Sequence, residues 1–134
     1  MRRRDRLTNA KNYHTTIFYN QINKKKIKLL KKLKIRLYKI PLDIDGNIDL
    51  KKSLIKAQEL GFSRIFLESG IELATNFLNA KLVDDLKLFI SDKHLKQNGA
   101  GSIKKFFGSV LKNKKKMTEK INLFGEKLIS YKLK

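Results

Sequence analysis

The chain has 134 residues, of which 41% are hydrophobic, and its 32 basic and 12 acidic side chains give a formal net charge of +20. This length and apolar fraction suit one packed domain and exclude a wholly disordered chain. The absence of cysteine excludes disulfides, thiolate metal sites and cysteine nucleophiles. With no apolar run long enough for a membrane span or a secretory signal, we expect a cytoplasmic protein.

The first half of the chain predicts alternating strands and helices. Residues 1–12 form a polar, basic lead-in. Residues 13–19 are rich in β-branched and aromatic side chains and predict a strand, and residues 20–33 place leucines and isoleucines on one helical face. Residues 35–40 alternate apolar and charged side chains and predict a second strand, which Pro41 ends.

Residues 43–49 have the acidic spacing of the first three ligands of a calcium loop. The glycine and the final glutamate of that motif are missing from their positions, so we interpret the stretch as a plain loop. Asp49 is then the N-cap of a helix that runs to about Leu60, and Gly61 follows as a residue suited to ending it.

The stretch with the clearest chemical character is residues 63–80. Residues 65–67 are continuously apolar and predict a central parallel strand, which residues 68–70 (ESG) turn into a helix from Ile71. A strand that ends in a small-residue turn and opens a helix is a common phosphate-binding arrangement, because the first helical N–H groups are unpaired. Residues 83–90 predict the next strand, so the order β-α-β-α-β-α-β indicates a parallel sheet.

The C-terminal part differs from this pattern. Residues 91–102 predict a loop and residues 103–111 a short helix. Residues 117–123 and 127–133 predict two strands of an antiparallel hairpin around residues 124–126. The expected fold is therefore α/β, a mostly parallel sheet with flanking helices and a C-terminal antiparallel hairpin.

Two stretches of the chain, with the helix between them, resemble a known protein family. Residues 65–70 (IFLESG), the helix after them and residues 80–91 (AKLVDDLKLFIS) resemble the C-terminal reductase domain of the bifunctional riboflavin-biosynthesis deaminase/reductase. That family has a strand ending in Glu-x-Gly, a helix, and a Leu-Val-Asp-Glu-Leu strand. Residues 39–50 resemble its linker into the preceding helix, so the resemblance covers roughly residues 13–133.

The resemblance implies a dihydrofolate-reductase-like fold in a bacterial cytoplasmic enzyme. It implies NADPH-dependent reduction of the ribosyl group of 5-amino-6-(5-phosphoribosylamino)uracil to the ribityl group. Glu68 would contact this phosphoribosylamino-pyrimidine substrate. The NADPH phosphates would lie against the turn and the start of the helix, at Ser69, Gly70, Ile71, Glu72 and Thr75. No catalytic residue and no metal ligand is assigned.

The chain departs from the family in three respects. Ser69 stands where glycine is common and Ile71 where proline is common, both mild changes because backbone N–H groups hold the phosphate. The family's domain is longer at its N-terminus, so we expect residues 13–134 to be the C-terminal part of a reductase domain. The zinc deaminase pattern is absent, because it needs cysteine. We expect the chain to form a homodimer or to bind a separate N-terminal or deaminase partner.

Two other functions stay open. The net charge favours a basic nucleic-acid-binding α/β module, although lysine-rich composition with many Asn and Ile is also typical of AT-rich codon usage. An inactive truncated remnant is the third interpretation. We interpret His14 and His94 as non-catalytic, and Asp84 and Asp85 as structural or solvated because neighbours on a strand face opposite ways.

Overall fold

The computed structural model describes residues 14–91, 103–119 and 127–134. The chain divides into two compact units, Met1–Ile65 and Phe66–Lys134. The predicted basic lead-in (residues 1–12) and the predicted hairpin turn (residues 124–126) lie outside the described residues. Of the predicted loop at residues 91–102, the structure describes Ser91 alone. Each unit contains both helices and strands, so the described fold is mixed α/β.

The first unit combines two parallel strands with two helices. β1 and β2 pair in parallel, with Thr16 opposite Arg36 and Tyr19 opposite Lys39. Leu30 and Ile35 are buried at the centre of a small apolar core. In chain order the elements are β1 (Thr16–Tyr19), α1 (Lys24–Lys32), β2 (Arg36–Lys39) and α2 (Leu50–Glu59). All four were predicted from the sequence, with bounds that differ by a few residues at the ends.

Local hydrogen bonds explain where the helices of this unit begin and end. The Asn23 side chain accepts the N–H of Lys26 at 2.7 Å and caps α1. Asp49 accepts the N–H of Lys52 at 2.9 Å and caps α2, as predicted. Gly61, with φ of 90°, takes the left-handed conformation that ends α2.

The acidic loop before α2 is held by hydrogen bonds from its backbone N–H groups to the Asp43 side chain. The Asp43 carboxylate accepts the N–H groups of Asp45 at 3.0 Å and Asn47 at 2.9 Å, which is an Asx-type turn. Gly46, with φ of 79°, completes the turn. The arrangement supports the interpretation of residues 43–49 as a plain loop.

The prediction of a strand at residues 65–67 was wrong. Residues 64–70 belong to no helix or strand, and Ile65, Phe66 and Leu67 are 53%, 79% and 38% exposed. An apolar run becomes a strand only where a neighbouring strand takes up its backbone N–H and C=O groups. Among the described residues no strand does so, and the predicted continuous parallel sheet is replaced by two separate sheets.

The second unit contains an antiparallel sheet and two helices. Its sheet has the order β3 (Asp85–Ile90), β5 (Lys127–Lys132), β4 (Lys116–Glu119). Asp85 lies opposite Lys132, and Lys116 lies opposite Tyr131. Among the side chains that the structure describes in this unit, the buried apolar ones are Leu78, Phe107 and Leu128. The elements are α3 (Ile71–Asn79), β3 (Asp85–Ile90), α4 (Ile103–Leu111), β4 (Lys116–Glu119) and β5 (Lys127–Lys132).

The strands of this unit confirm the hairpin and correct the direction of β3. β4 and β5 pair antiparallel, as predicted. β3 was expected to continue a parallel sheet, but it pairs antiparallel with β5 along its whole length. The amphipathic pattern of β3 is compatible with either direction, so only the available partner strand decides between them.

A polar contact crosses the antiparallel sheet at Glu119. The Ser130 hydroxyl donates to the Glu119 carboxylate at 2.6 Å, and the Lys87 ammonium donates to the same oxygen at 3.4 Å. The Ser130 hydrogen bond, and then Lys87, lower the pKa of Glu119 below its ordinary value of 4.5. Because these contacts favour the carboxylate in the folded state, they stabilise the protein above the ordinary carboxyl pKa.

We therefore expect acidification to destabilise this sheet in part through Glu119. The stabilisation is present at neutral pH and is lost as pH falls through the lowered pKa of the folded state. Melting temperatures measured between pH 7 and pH 3 should fall less steeply for Glu119→Gln and for Ser130→Ala than for the unchanged chain. Equal slopes for all three proteins would contradict the assignment.

Candidate functional site

The start of α3 offers free backbone donors at the position that the sequence singled out. Gly70 is the N-cap, with φ of −63° and no side-chain cap. The first hydrogen bond of the helix joins the N–H of Ala74 to the carbonyl of Gly70 at 3.2 Å. The N–H groups of Ile71, Glu72 and Leu73 therefore have no hydrogen-bond partner among the described residues. Together with the positive end of the helix dipole, they suit the oxygens of a phosphate group.

Gly70 leaves this helix start open. A Cβ atom added at Gly70 would meet no atom within 4 Å. Its φ of −63° is available to any residue, so the glycine is not required by backbone strain. Because Gly70 has no side chain, a ligand can approach the three N–H groups freely.

Glu68 and Ser69 lie just before the helix and are both exposed. The described residues give the Glu68 carboxylate no ion-pair or hydrogen-bond partner. The Ser69 hydroxyl donates to the carbonyl of Gly70 at 3.2 Å. The carboxylate is thus available to accept from a ligand hydroxyl or N–H, although no strand of the described part of the chain fixes its position.

The side chains of Thr75 and Glu72, two of the residues predicted to hold the NADPH phosphates, are poorly suited to bind phosphate. The backbone N–H groups are better suited. The Thr75 hydroxyl donates to the carbonyl of Ile71 at 2.7 Å, so its proton is used inside the helix. Glu72 places a carboxylate in the first turn of α3. That charge is favourable for the helix dipole but would repel an anion bound at the same place. Ser69, Glu72 and Thr75 as phosphate ligands stay predictions.

The donor set at this helix start fits the phosphate part of a dinucleotide. Free N–H groups, an open glycine and the dipole are the features that such a group needs. The fit concerns the phosphates of NADPH.

A second feature, in the first unit, was missed by sequence reasoning. An open cleft of about 600 Å³ lies at the carboxyl ends of β1 and β2, where parallel α/β sheets commonly bind ligands. Asn20 donates from its amide nitrogen to the carbonyl of Ile40 at 2.9 Å and joins the two strand ends. The lining residues are Tyr19, Asn20, Gln21, Ile22, Asn23, Ile27 and Lys39. The run of polar amides directly after β1 was the available signal.

Other side chains considered from the sequence have structural or solvated positions. Asp84 pairs with Lys134 at 3.0 Å, and its carbonyl accepts the N–H of Leu133 at 2.7 Å. His14 is exposed, and His94 lies outside the described residues. Across residues 14–91, 103–119 and 127–134, no helix combines the length and the apolar character that crossing a membrane requires.

Comparison with known proteins identifies a family. A family model described as the RibD C-terminal domain matches residues 1–127 of the chain. The match includes the Glu68–Thr75 stretch, the cleft residues and most of the antiparallel sheet. It begins at residue 1 and so takes in the predicted lead-in. No curated protein matches the chain.

Proposed function

Because the chain belongs to the RibD C-terminal domain family, the reductase family of riboflavin biosynthesis, we propose that it binds NADPH and reduces a phosphoribosylamino-pyrimidine. Membership also gives the chain its dihydrofolate-reductase-like α/β fold. The proposed reaction converts the ribosyl group of 5-amino-6-(5-phosphoribosylamino)uracil to the ribityl group. We place it in the cytoplasm, where both small molecules would be available.

The observation that carries the proposal is the free N–H set at the start of α3. The groups of Ile71, Glu72 and Leu73 would donate to the phosphate oxygens, and Gly70 would allow the phosphates to approach the backbone. When bound, NADPH supplies a hydride. The chain's own contribution is to position the phosphates and, through Glu68, to accept a hydrogen bond from a substrate hydroxyl or N–H.

The test has two stages that separate cofactor from substrate. NADPH is titrated into the full chain by calorimetry, and the authentic pyrimidine is then added while NADPH absorbance is followed. Binding with turnover supports both halves of the proposal. Binding without turnover overturns the reductase activity of this chain alone, and no heat of binding overturns the cofactor assignment.

We expect Glu68→Gln to weaken the contact with the substrate and to leave the binding of NADPH nearly unchanged. A hydrogen bond to a charged group contributes roughly 1.5–3 kcal/mol, so kcat/KM should fall by about 10- to 100-fold. The Kd for NADPH should stay within about twofold, because the phosphates are held by backbone groups. Steady-state kinetics and NADPH calorimetry on the same preparation measure both quantities. An unchanged kcat/KM would remove Glu68 from the site.

Nucleic-acid binding is a second candidate function, and the lysine-rich surface of α1 favours it. Six of the nine residues of α1 (KKKIKLLKK) are lysines, and all six are exposed. Neutralised phosphates release counterions, so an affinity for DNA or RNA carried by α1 would fall steeply as salt rises. An affinity that is absent at low salt, or is unchanged when these lysines are replaced by glutamine, would exclude α1 as such an interface.

A further inference from the structure

The cleft at the carboxyl ends of β1 and β2 has a composition suited to a small ligand. Its walls combine one aromatic ring, three side-chain amides, one ammonium group and two isoleucines around about 600 Å³. Sites that bind small molecules have this size and this mixture of apolar walls with a few polar groups. Every lining residue belongs to the first unit, so the walls of the cleft are formed within that unit.

The charge that lines this cleft is positive. Lys39 ends β2 and is exposed, and its ammonium group forms no ion pair with the part of the chain that the structure describes. Among the described residues that line the cleft, none is acidic. An ammonium group without a carboxylate partner suits an anion, and phosphate is an anion that lysine commonly binds.

Two neighbouring amide side chains in the cleft keep hydrogen-bonding capacity for a ligand. Asn20 donates from its amide nitrogen to the carbonyl of Ile40 at 2.9 Å, and no described residue donates to its amide oxygen. Gln21 is exposed, and its side chain forms no hydrogen bond with the described residues. An amide carries a donor beside an acceptor, which matches the edge of adenine, where a donor and an acceptor also lie side by side.

A second cleft, of about 500 Å³, shares the wall formed by residues 19–22. It adds apolar side chains, among them Phe18, Leu30 and Ile48, and is therefore the more apolar of the two. The loop at residues 19–22 thus has a polar, positively charged recess and an apolar recess. A ligand that joins a flat ring to an anionic group fits both environments.

We propose that the clefts beside residues 19–22 bind a nucleoside phosphate with an adenine base. Lys39 holds the phosphate group, Asn20 and Gln21 contact the edge of the base, and the apolar walls take the face of the ring. The crevice outside the carboxyl ends of parallel strands is where open α/β sheets bind ligands. The same chemistry occurs in a free mononucleotide and in the adenosine end of a dinucleotide, and the experiment distinguishes these two sources.

Calorimetric titration of adenosine monophosphate (AMP) into the full chain, without NADPH, measures the binding directly. We expect one AMP to bind per chain. Adenosine lacks the phosphate and ribose 5-phosphate lacks the base, so each should bind at least about 10-fold more weakly than AMP.

Lys39→Gln tests the contact with the phosphate and should weaken AMP binding by about 10-fold or more. The matched control is Lys32→Gln, which removes the same charge from an exposed position of the same unit outside both clefts. The control is needed because a chain with a net charge of +20 attracts anions over its whole surface. It should change the affinity for AMP by less than about twofold. Thermal melts check that both variants stay folded.

Gln21→Ala tests the contact with the base. The side chain is exposed, so its removal should leave the fold intact. AMP binding should weaken by about 5-fold or more, whereas the affinity for ribose 5-phosphate should not change. Asn20 is kept, because its hydrogen bond to Ile40 joins the two strand ends.

Titration of NADPH into the AMP-saturated chain separates the two sources of the ligand. If NADPH displaces AMP and Lys39→Gln also weakens NADPH binding, the adenosine end of the dinucleotide occupies the cleft. If the two bind together, the cleft holds a free nucleotide. AMP binding is measured without NADPH and without turnover, so it does not depend on the proposed reductase function, and either proposal can fail alone.

Three results would each overturn the assignment of the cleft. They are no heat of binding with AMP, equal losses for Lys39→Gln and Lys32→Gln, and equal affinities for AMP and ribose 5-phosphate. The first removes the ligand, the second reduces the binding to general charge attraction, and the third removes the base.

Discussion

Replacing Gly70 with aspartate is expected to weaken NADPH binding by about 100-fold or more while α3 stays folded. The new carboxylate would lie at the N-cap, beside the phosphates and in competition for the free N–H groups. The helix itself should not suffer, because a Cβ at Gly70 meets nothing within 4 Å. Aspartate is also a better N-cap than glycine, by a few tenths of a kcal/mol.

The matched control is Gly70→Asn, which has the same shape and caps the helix without charge. Asparagine would still occupy one N–H group, so we expect it to weaken NADPH binding by less than about 10-fold. Calorimetric titration gives the Kd values, and thermal melts give the stabilities. Equal losses for Asp and Asn would mean that charge at this helix start is irrelevant. No loss with either variant would mean that the phosphates bind elsewhere.

Ile35→Ala is expected to destabilise the first unit strongly. Ile35 is 4% exposed and packs with Leu30 at the centre of the apolar core between β2 and α1. Removing a buried isoleucine side chain costs about 2–5 kcal/mol, from lost apolar burial and the cavity left behind. That loss is a large part of the roughly 5–15 kcal/mol by which domains are usually stable.

The control is the same substitution at Ile44, whose side chain is 100% exposed. Ile44→Ala should change the free energy of unfolding by no more than about 0.5 kcal/mol. Urea denaturation followed by circular dichroism measures both. Ile35→Val, with an expected cost of about 0.5–1.5 kcal/mol, keeps the comparison possible if the alanine variant does not fold. Equal costs at residues 35 and 44 would contradict the assigned core.

The start of α3 shows how far the candidate site could be predicted. The helix from Ile71 was predicted from the apolar spacing and is confirmed. The turn predicted at residues 68–70 is not present as a defined turn. Among the described residues, the N–H groups of Ile71, Glu72 and Leu73 have no hydrogen-bond partner. This follows from the lack of a capping side chain, which glycine at this position already implies. The inward hydrogen bond of Thr75 was not predictable, because a threonine hydroxyl can donate either to a ligand or to its own helix.

The cleft beside β1 shows what the sequence could not give by itself. Asn20 and Lys39 are far apart along the chain, and they meet because β1 and β2 pair in parallel in one register. The amides after β1 are ordinary loop residues until that pairing is known. Their position at two strand ends makes them a ligand-binding candidate.

The sequence alone determined the helices, the cap at Asp49, the turn at Gly61, the hairpin and the family resemblance. These features depend on contacts within a few residues, or on an ordered pattern of residues that needs no coordinates. The tertiary structure decided that β3 runs antiparallel to β5 and that residues 65–67 form no strand. A strand takes its hydrogen bonds from residues distant in sequence, so its existence and direction depend on which partner is present. The apolar run at 65–67 therefore predicted a tendency to pair, and only the fold showed that the described chain leaves it unpaired.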